Sequence, residues 1–437
     1  MNNVSLLEPS LPHIASSYIY DVSVNKFRPI YSSDFAGGVI GGVEKDAFGR
    51  LRTSNPMTLF DSSHRFRDNG LWNTSTTGTA SATFNANQGL VDLIVNNSIN
   101  AEVVRETAKV FSYQPGKSLL VMNTFVMETP KEGLRQRVGY YGASNGIYLE
   151  LANSVLYIVK RSSVSGVLVD ARIAQSSWSN DNLDGTGPSG ITLDISKAQI
   201  FWMDIEWLGV GSVRTGFVID GQFILCHIFH HANTITSTYI TTASLPLRYE
   251  IKNTAATSGS STLKQICSTV ISEGGYELRG LQQAIGIPIT TPRTLTTAGT
   301  FYPIVSLRLK TSPDFLDGIV ILTALSIMPI ATGAYNWQIR ASGTTGGGSW
   351  VSAGDDSAVS YNITGTSHSG GRILASGFFS ASNQGVTKID ILKEALFKFQ
   401  LERNGLTSTP FEITLVVASN SSNDTVVASM DWEEISR

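Results

Sequence analysis

The sequence predicts an all-β protein: an extended N-terminal arm followed by two β-sandwich, jelly-roll-like domains. Three observations carry this. Apolar residues alternate with polar ones over short segments, turn residues recur every few positions, and a helical period of 3.6 is almost nowhere sustained. Composition agrees. Of 437 residues 42% are hydrophobic, enough for real cores, and only 15% are charged, against about 25% in an average soluble protein. Ser, Thr, Asn and Gly carry the polar load, the mix of a β-rich surface paved with short neutral side chains.

Residues 1–60 are expected to form the arm. Pro9, Pro12 and Pro29 interrupt them, as do Gly37-Gly38 and Gly41-Gly42, yet aromatics recur at Tyr18, Tyr20, Phe27, Tyr31, Phe35, Phe48 and Phe60. Such a segment has no periodicity with which to build its own core. Its rings are expected to be buried against another surface, in its own chain or a neighbour's. Phe48, Arg50, Leu51, Arg52 and Phe60 are the expected partner-binding residues. The two guanidinium forks suit carboxylates or carbonyls on a partner. The competing reading makes this segment simply the first strand of the following domain.

Residues 61–283 read as the first sandwich. Phe201, Met203, Ile205 and Trp207 share one strand face, and Asp204 and Glu206 fall on the other, as a period of two requires. Strands follow at residues 213–219 and 222–231, joined by Asp220-Gly221, a pair suited to the positive φ of a type I′ turn. Residues 245–251 and 266–272 are two more. Residues 284–437 read as the second sandwich, with strands at 301–309, 320–330, 335–341, 396–403 and 411–418. A short helix is predicted over residues 388–395.

Chemistry-bearing groups are few. His227, His230 and His231 lie on a strand, which separates the two that share a face by about 13 Å at roughly 3.3 Å per residue. One zinc needs ligands at about 2.0–2.1 Å, so no metal is expected there. Asp204 and Glu206 are similar in type to the carboxylates of laminarinase-like glycosidases, but the order Asp-Ile-Glu-Trp-Leu-Gly lacks a third carboxylate. The glycine run at 343–349 lacks the Lys-Ser/Thr of a phosphate loop. No catalytic residue, cofactor or metal is expected. Cys226 and Cys267 read as small buried hydrophobes, with a cross-strand disulfide the alternative. A net charge of −3 without a Lys/Arg stripe argues against nucleic-acid binding. The longest apolar run, residues 319–331, is too short to span a bilayer and contains Pro329. Trp72, Trp178 and Trp350, in loop-like contexts, are candidate ligand-facing aromatics.

Two stretches carry a family resemblance. Residues 46–61, with Phe48-Gly49-Arg50-Leu51-Arg52 and Pro56-Met57-Thr58-Leu59-Phe60, resemble a run in virion structural proteins of marine tailed bacteriophages, especially cyanophages. Residues 205–221, His227, His230-His231 and Leu245-Pro246-Leu247-Arg248-Tyr249 resemble the same family's sandwich, which is similar to the concanavalin/laminin-G class. The resemblance covers residues 40–275. It implies a non-enzymatic virion protein, made in the host cytoplasm without a signal peptide, with other virion proteins as partners. A tail, baseplate or fibre component forming a homotrimer is the leading expectation. Capsid-surface decoration and recognition of a host-surface glycan are the alternatives.

Overall fold

The structure, a computed structural model, describes residues 18–21, 26–29, 54–381, 387–390 and 398–436. One compact unit is Met1–Asn55 and the other is Pro56–Arg437. In the first, Tyr18–Asp21 pairs with Lys26–Pro29 as a two-stranded antiparallel ribbon. Phe48, Arg50, Leu51 and Arg52, the expected docking residues, lie outside the described residues.

The second unit is all-β. Its first sandwich faces a seven-stranded antiparallel sheet against an eight-stranded one. The seven-stranded sheet runs Val169–Ala174, Val155–Ser162, Gly146–Ala152, Leu134–Tyr141, Leu247–Asn253, Glu102–Thr107, Trp72–Thr77. The other runs Gln222–Phe229, Val213–Ile219, Gln199–Ile205, Leu119–Val126, Ser261–Ser272, Leu90–Val95, Ala80–Asn85. Met57–Ser63 pairs with the far half of Ser261–Ser272, whose near half pairs with Leu90–Val95. Between the sheets Val121, Phe125, Val138, Leu149, Phe201, Met203, Phe217 and Tyr249 are buried together.

The predicted turn is present: Asp220 and Gly221 take φ of 52° and 74° between Val213–Ile219 and Gln222–Phe229. The hairpin is also bulged at Thr215/Gly216. A Cβ at Gly216 would lie 1.8 Å from the Ile224 carbonyl oxygen, so only glycine fits there.

Phe60 corrects the arm boundary. It sits in the sandwich's own core, its ring centroid 4.9 Å from Phe111 and 6.1 Å from Trp72. A bulge at Leu59 in Met57–Ser63 turns both Leu59 and Phe60 inward, with Ser62 two residues further on, so the strand reading prevails at this position. Cys226 and Cys267 are free thiols, and burial pushes both thiols up.

The outer face of the seven-stranded sheet is charged without being solvated. Arg137 pairs with Glu150 at 2.6 Å, Arg135 with Glu250 at 2.7 Å and Arg161 with Asp170 at 2.9 Å. The Tyr141 and Tyr148 rings lie 4.4 Å apart beneath the Arg161 guanidinium. Glu150 and Glu250 are buried, and an ionised carboxylate at such depth has to be paired.

A second pair of sheets follows. One runs Leu281–Gly286, Asp424–Ser436, Ile319–Pro329, Thr387–Asp390, with Arg293–Leu295 also on Asp424–Ser436. The other runs Val351–Ser352, Val359–Asn362, Tyr302–Leu309, Glu412–Ser419, Gly333–Gly346, Ser367–Ala381. Leu307, Ile339, Leu415, Val426, Met430 and Trp432 are core. Two expectations fail here. Thr387–Asp390, where the helix was expected to begin, is a strand on Ile319–Pro329, and residues 391–397 lie outside the described residues. The strand expected at 396–403 is reduced to a bridge at Gln400 and a two-residue strand, Arg403–Asn404. Phe399, Gln400, Leu401, Glu402 and Arg403 are all buried, because this segment threads between the two sandwiches.

That junction is polar at its centre. Glu106, 1% exposed, is gripped by Arg248 from its own sheet and by Arg403 Nη1 at 2.8 Å. Arg403 also donates to the Thr107 carbonyl at 2.8 Å and to Asp317 at 2.9 Å. Its backbone N–H bonds Ala108 O at 2.9 Å, and the Gln400 amide donates to Val110 O at 3.0 Å. Val110, Ile319 and Ile321 form a small apolar cluster beside these groups.

Stripping one partner from a buried pair strands the other charge. Arg403→Met should therefore lower the unfolding free energy by about 3 kcal/mol in urea denaturation. Arg372→Ala, which breaks the half-exposed pair with Glu402, should change it by less than about 1 kcal/mol. Equal effects of the two would refute the weight placed on Glu106.

Candidate functional site

Immediately beyond Glu102–Thr107, residues 111–117 turn over the end of the first sandwich. Phe111 bridges to Leu245, and the Tyr140 hydroxyl, 2.8 Å from Phe111 O and 2.6 Å from Ala243 O, also accepts the Leu245 N–H. This fastens two loops side by side. Gln114 ties in a third: its amide donates to Glu277 O, and its oxygen accepts the Glu277 N–H at 3.1 Å and the Lys117 ammonium at 3.1 Å.

Between these loops lies a cavity of about 640 Å³. Ser112, Tyr113, Gln114, Lys117, Trp207, Thr241, Thr242, Glu277 and Arg279 line it, and Ile435 of Asp424–Ser436 contributes one wall. A second cavity, about 350 Å³, shares Tyr113 and Lys117 and adds Asp204, Glu206, Ser212 and Arg214. The two form one groove.

Trp207 was expected to continue the core face of its strand. The strand ends at Ile205, and the following Leu208 and Gly209 both take positive φ. The indole is thereby half-buried, meeting Tyr113 edge-on at 6.0 Å, with its N–H on Ile240 O at 3.2 Å. The sequence signal was present in Trp207-Leu-Gly-Val-Gly211, where two glycines end a strand. Tyr113, buried beside it, has its hydroxyl pKa raised by that burial.

The carboxylates of this strand have separate partners. Asp204 is bonded to Arg214 and is buried, not solvated as alternation suggested. Glu206 is exposed and accepts the Ser212 N–H at 3.0 Å. The three imidazoles also diverge. His227 accepts the Ser179 N–H at 3.2 Å, and burial pushes its pKa down to about 4. His231 stacks on Tyr239 at 4.0 Å and bonds Gly211 O at 2.6 Å, while His230 is exposed near Ser212.

Two of the candidate ligand-facing tryptophans are corrected. Trp72 is 7% exposed and donates to Ser62 at 2.8 Å, packed edge-on to Tyr249. Trp178 is 5% exposed and donates to Ile173 O at 3.2 Å, parallel to Phe217. Both indoles find an internal acceptor, which is what lets them be buried. Trp350 is half-exposed beneath the Arg308 guanidinium, 4.0 Å from its centroid, away from the groove.

No family model matches the sequence, and no curated protein does. Among solved structures, the chain is similar to an endo-β-1,4-glucuronan lyase from the fungus Trichoderma reesei (10% identity, TM-score 0.33, covering 49% of this chain and 95% of that one). It is similar also to the carbohydrate recognition domain of Emp47p (10%, 0.33, 52% and 99%). A third is the CBM2 module of the evolved Dit of Lactobacillus casei BL23 phage J-1 (8%, 0.32, 52% and 100%). At these identities and scores the likeness bears on neither activity nor ligand.

The buried histidines make stability pH-dependent. His227 and His64 both fall from 6.5 to about 4 through burial. The unfolded chain takes up their protons near 6.5 and the folded chain only near 4, so stability present above 6.5 is lost as pH falls toward 4. With partial solvent screening, His227→Asn should reduce the loss between pH 7 and pH 5 by about 1 kcal/mol in urea titrations at both pH values. An unchanged difference between the two pH values would contradict this.

Proposed function

We propose that this chain is a non-enzymatic structural protein of a tailed-phage virion, a tail, baseplate or fibre component that binds a surface glycan in the groove beside Trp207. The observation that carries the glycan part is the groove itself. A half-buried indole and a tyrosine ring stand among Ser112, Thr241, Thr242 and Gln114. Sugars present both a C–H face and a fringe of hydroxyls. A ring edge with short hydroxyl and amide side chains around it matches both.

The virion part rests on the sequence resemblance at residues 46–61 and 205–251, with the neutral Ser/Thr/Asn-rich composition behind it. In this reading the partners are other virion proteins, the first unit is the attachment segment, and the assembled form is a homo-oligomer, a trimer by expectation. Asp204 and Glu206 then act as structural anchors: the first is held by Arg214, the second takes a turn N–H.

Trp207→Ala should weaken binding to the host-surface polysaccharide at least about tenfold, the equivalent of 1.4 kcal/mol, with the melting temperature shifted by only a few degrees. Release of reducing ends by the wild-type protein would count against the non-enzymatic part. Deleting residues 1–44 should leave a folded protein that no longer joins particles. Normal incorporation of that truncated chain would move the attachment surface onto the sandwiches.

A further inference from the structure

We infer that the groove selects an acidic saccharide, and that the Lys117 ammonium receives its carboxylate; this rests on the glycan reading above. In the larger cavity Arg279 and Glu277 neutralise each other at 2.6 Å. In the smaller one Arg214 is taken by Asp204, which leaves Glu206 and Lys117 as the remaining opposite charges. Lys117 borders both cavities, and its contact is a neutral oxygen, Gln114 Oε1 at 3.1 Å; among the described residues no carboxylate lies within ion-pair distance of it.

The balance therefore differs between the two ends. Beyond the Arg279–Glu277 pair, the larger cavity keeps one positive charge, that of Lys117. The smaller cavity has Lys117 and Arg214 against Asp204 and Glu206, which sum to zero. A ligand carboxylate is favoured in the larger cavity, beside Trp207, and repelled by Glu206 in the smaller.

Lys117 is also held in place. Its stem crosses Gly274, where a Cβ would lie 2.5 Å from Lys117 Cγ. A larger residue at 274 would push the stem aside. Gln114 holds the ammonium from one side, leaving donors for a ligand. A preset ammonium loses little side-chain freedom on binding, and a charge-assisted hydrogen bond is about twice as strong as a neutral one.

The test measures affinity of the full-length protein for tetrasaccharides of glucuronic acid and of glucose with the same linkage, by titration calorimetry. The acidic chain should bind at least about tenfold more tightly, and higher salt should erode that preference. Lys117→Met should abolish the preference, and Lys117→Arg should keep it. Equal affinity for both sugars in the wild type, or a preference that survives in Lys117→Met, overturns the inference while the glycan reading stands. Binding of neither sugar overturns both.

Discussion

The buried carboxylate of Glu106 is the constraint on which the rest of the second unit depends. A carboxylate with 1% of its surface exposed is very costly unless it is paired and hydrogen-bonded. Here one guanidinium comes from its own sheet, Arg248, and another from the second sandwich, Arg403. The second sandwich is thus a required part of the first one's electrostatics. Space is equally tight: at Gly405 a Cβ would lie 2.2 Å from Glu106 Oε1, so a larger residue there would push the carboxylate aside.

The groove inherits its shape from this junction. Glu106 and Thr107 end the strand that leads into residues 111–117, so fixing Glu106 fixes the start of the loop that carries Tyr113 and Lys117. From the other side, Asp424–Ser436 delivers Ile435 to the wall, and Glu434 next to it is anchored by Ser357 and Ala358. Neither sandwich contains the whole groove. A ligand there meets groups from three loops and one strand already in position, which reduces the ordering cost of binding.

Much of the fold was legible in the sequence and much of the site was not. The 213–219 and 222–231 strands and the Asp220-Gly221 turn could be read because their determinants are local. The buried charge pairs could not, because Glu106 and Arg248 are 142 residues apart in sequence. On a strand each such residue looks like one polar position facing water. The same blindness made Asp204 appear solvated and residues 396–403 appear a simple strand, although consecutive residues from Phe399 to Arg403 are all buried. Trp72 and Trp178 were misread for a related reason: loop-like contexts suggested exposure, while Ser62 Oγ and Ile173 O supply internal acceptors. Trp207 keeps its packing on the first sandwich's core as alternation expected, but the strand ends at Ile205 and the turn through Leu208 and Gly209 leaves the indole only half-buried.

The two sandwiches are one cooperative body because Glu106 is shared between them. Differential scanning calorimetry of the full-length protein tests it most directly. A single transition for the Pro56–Arg437 unit, with a calorimetric to van't Hoff enthalpy ratio of about 1, is the predicted result. Two separated transitions, each with the enthalpy of a single sandwich, would contradict it.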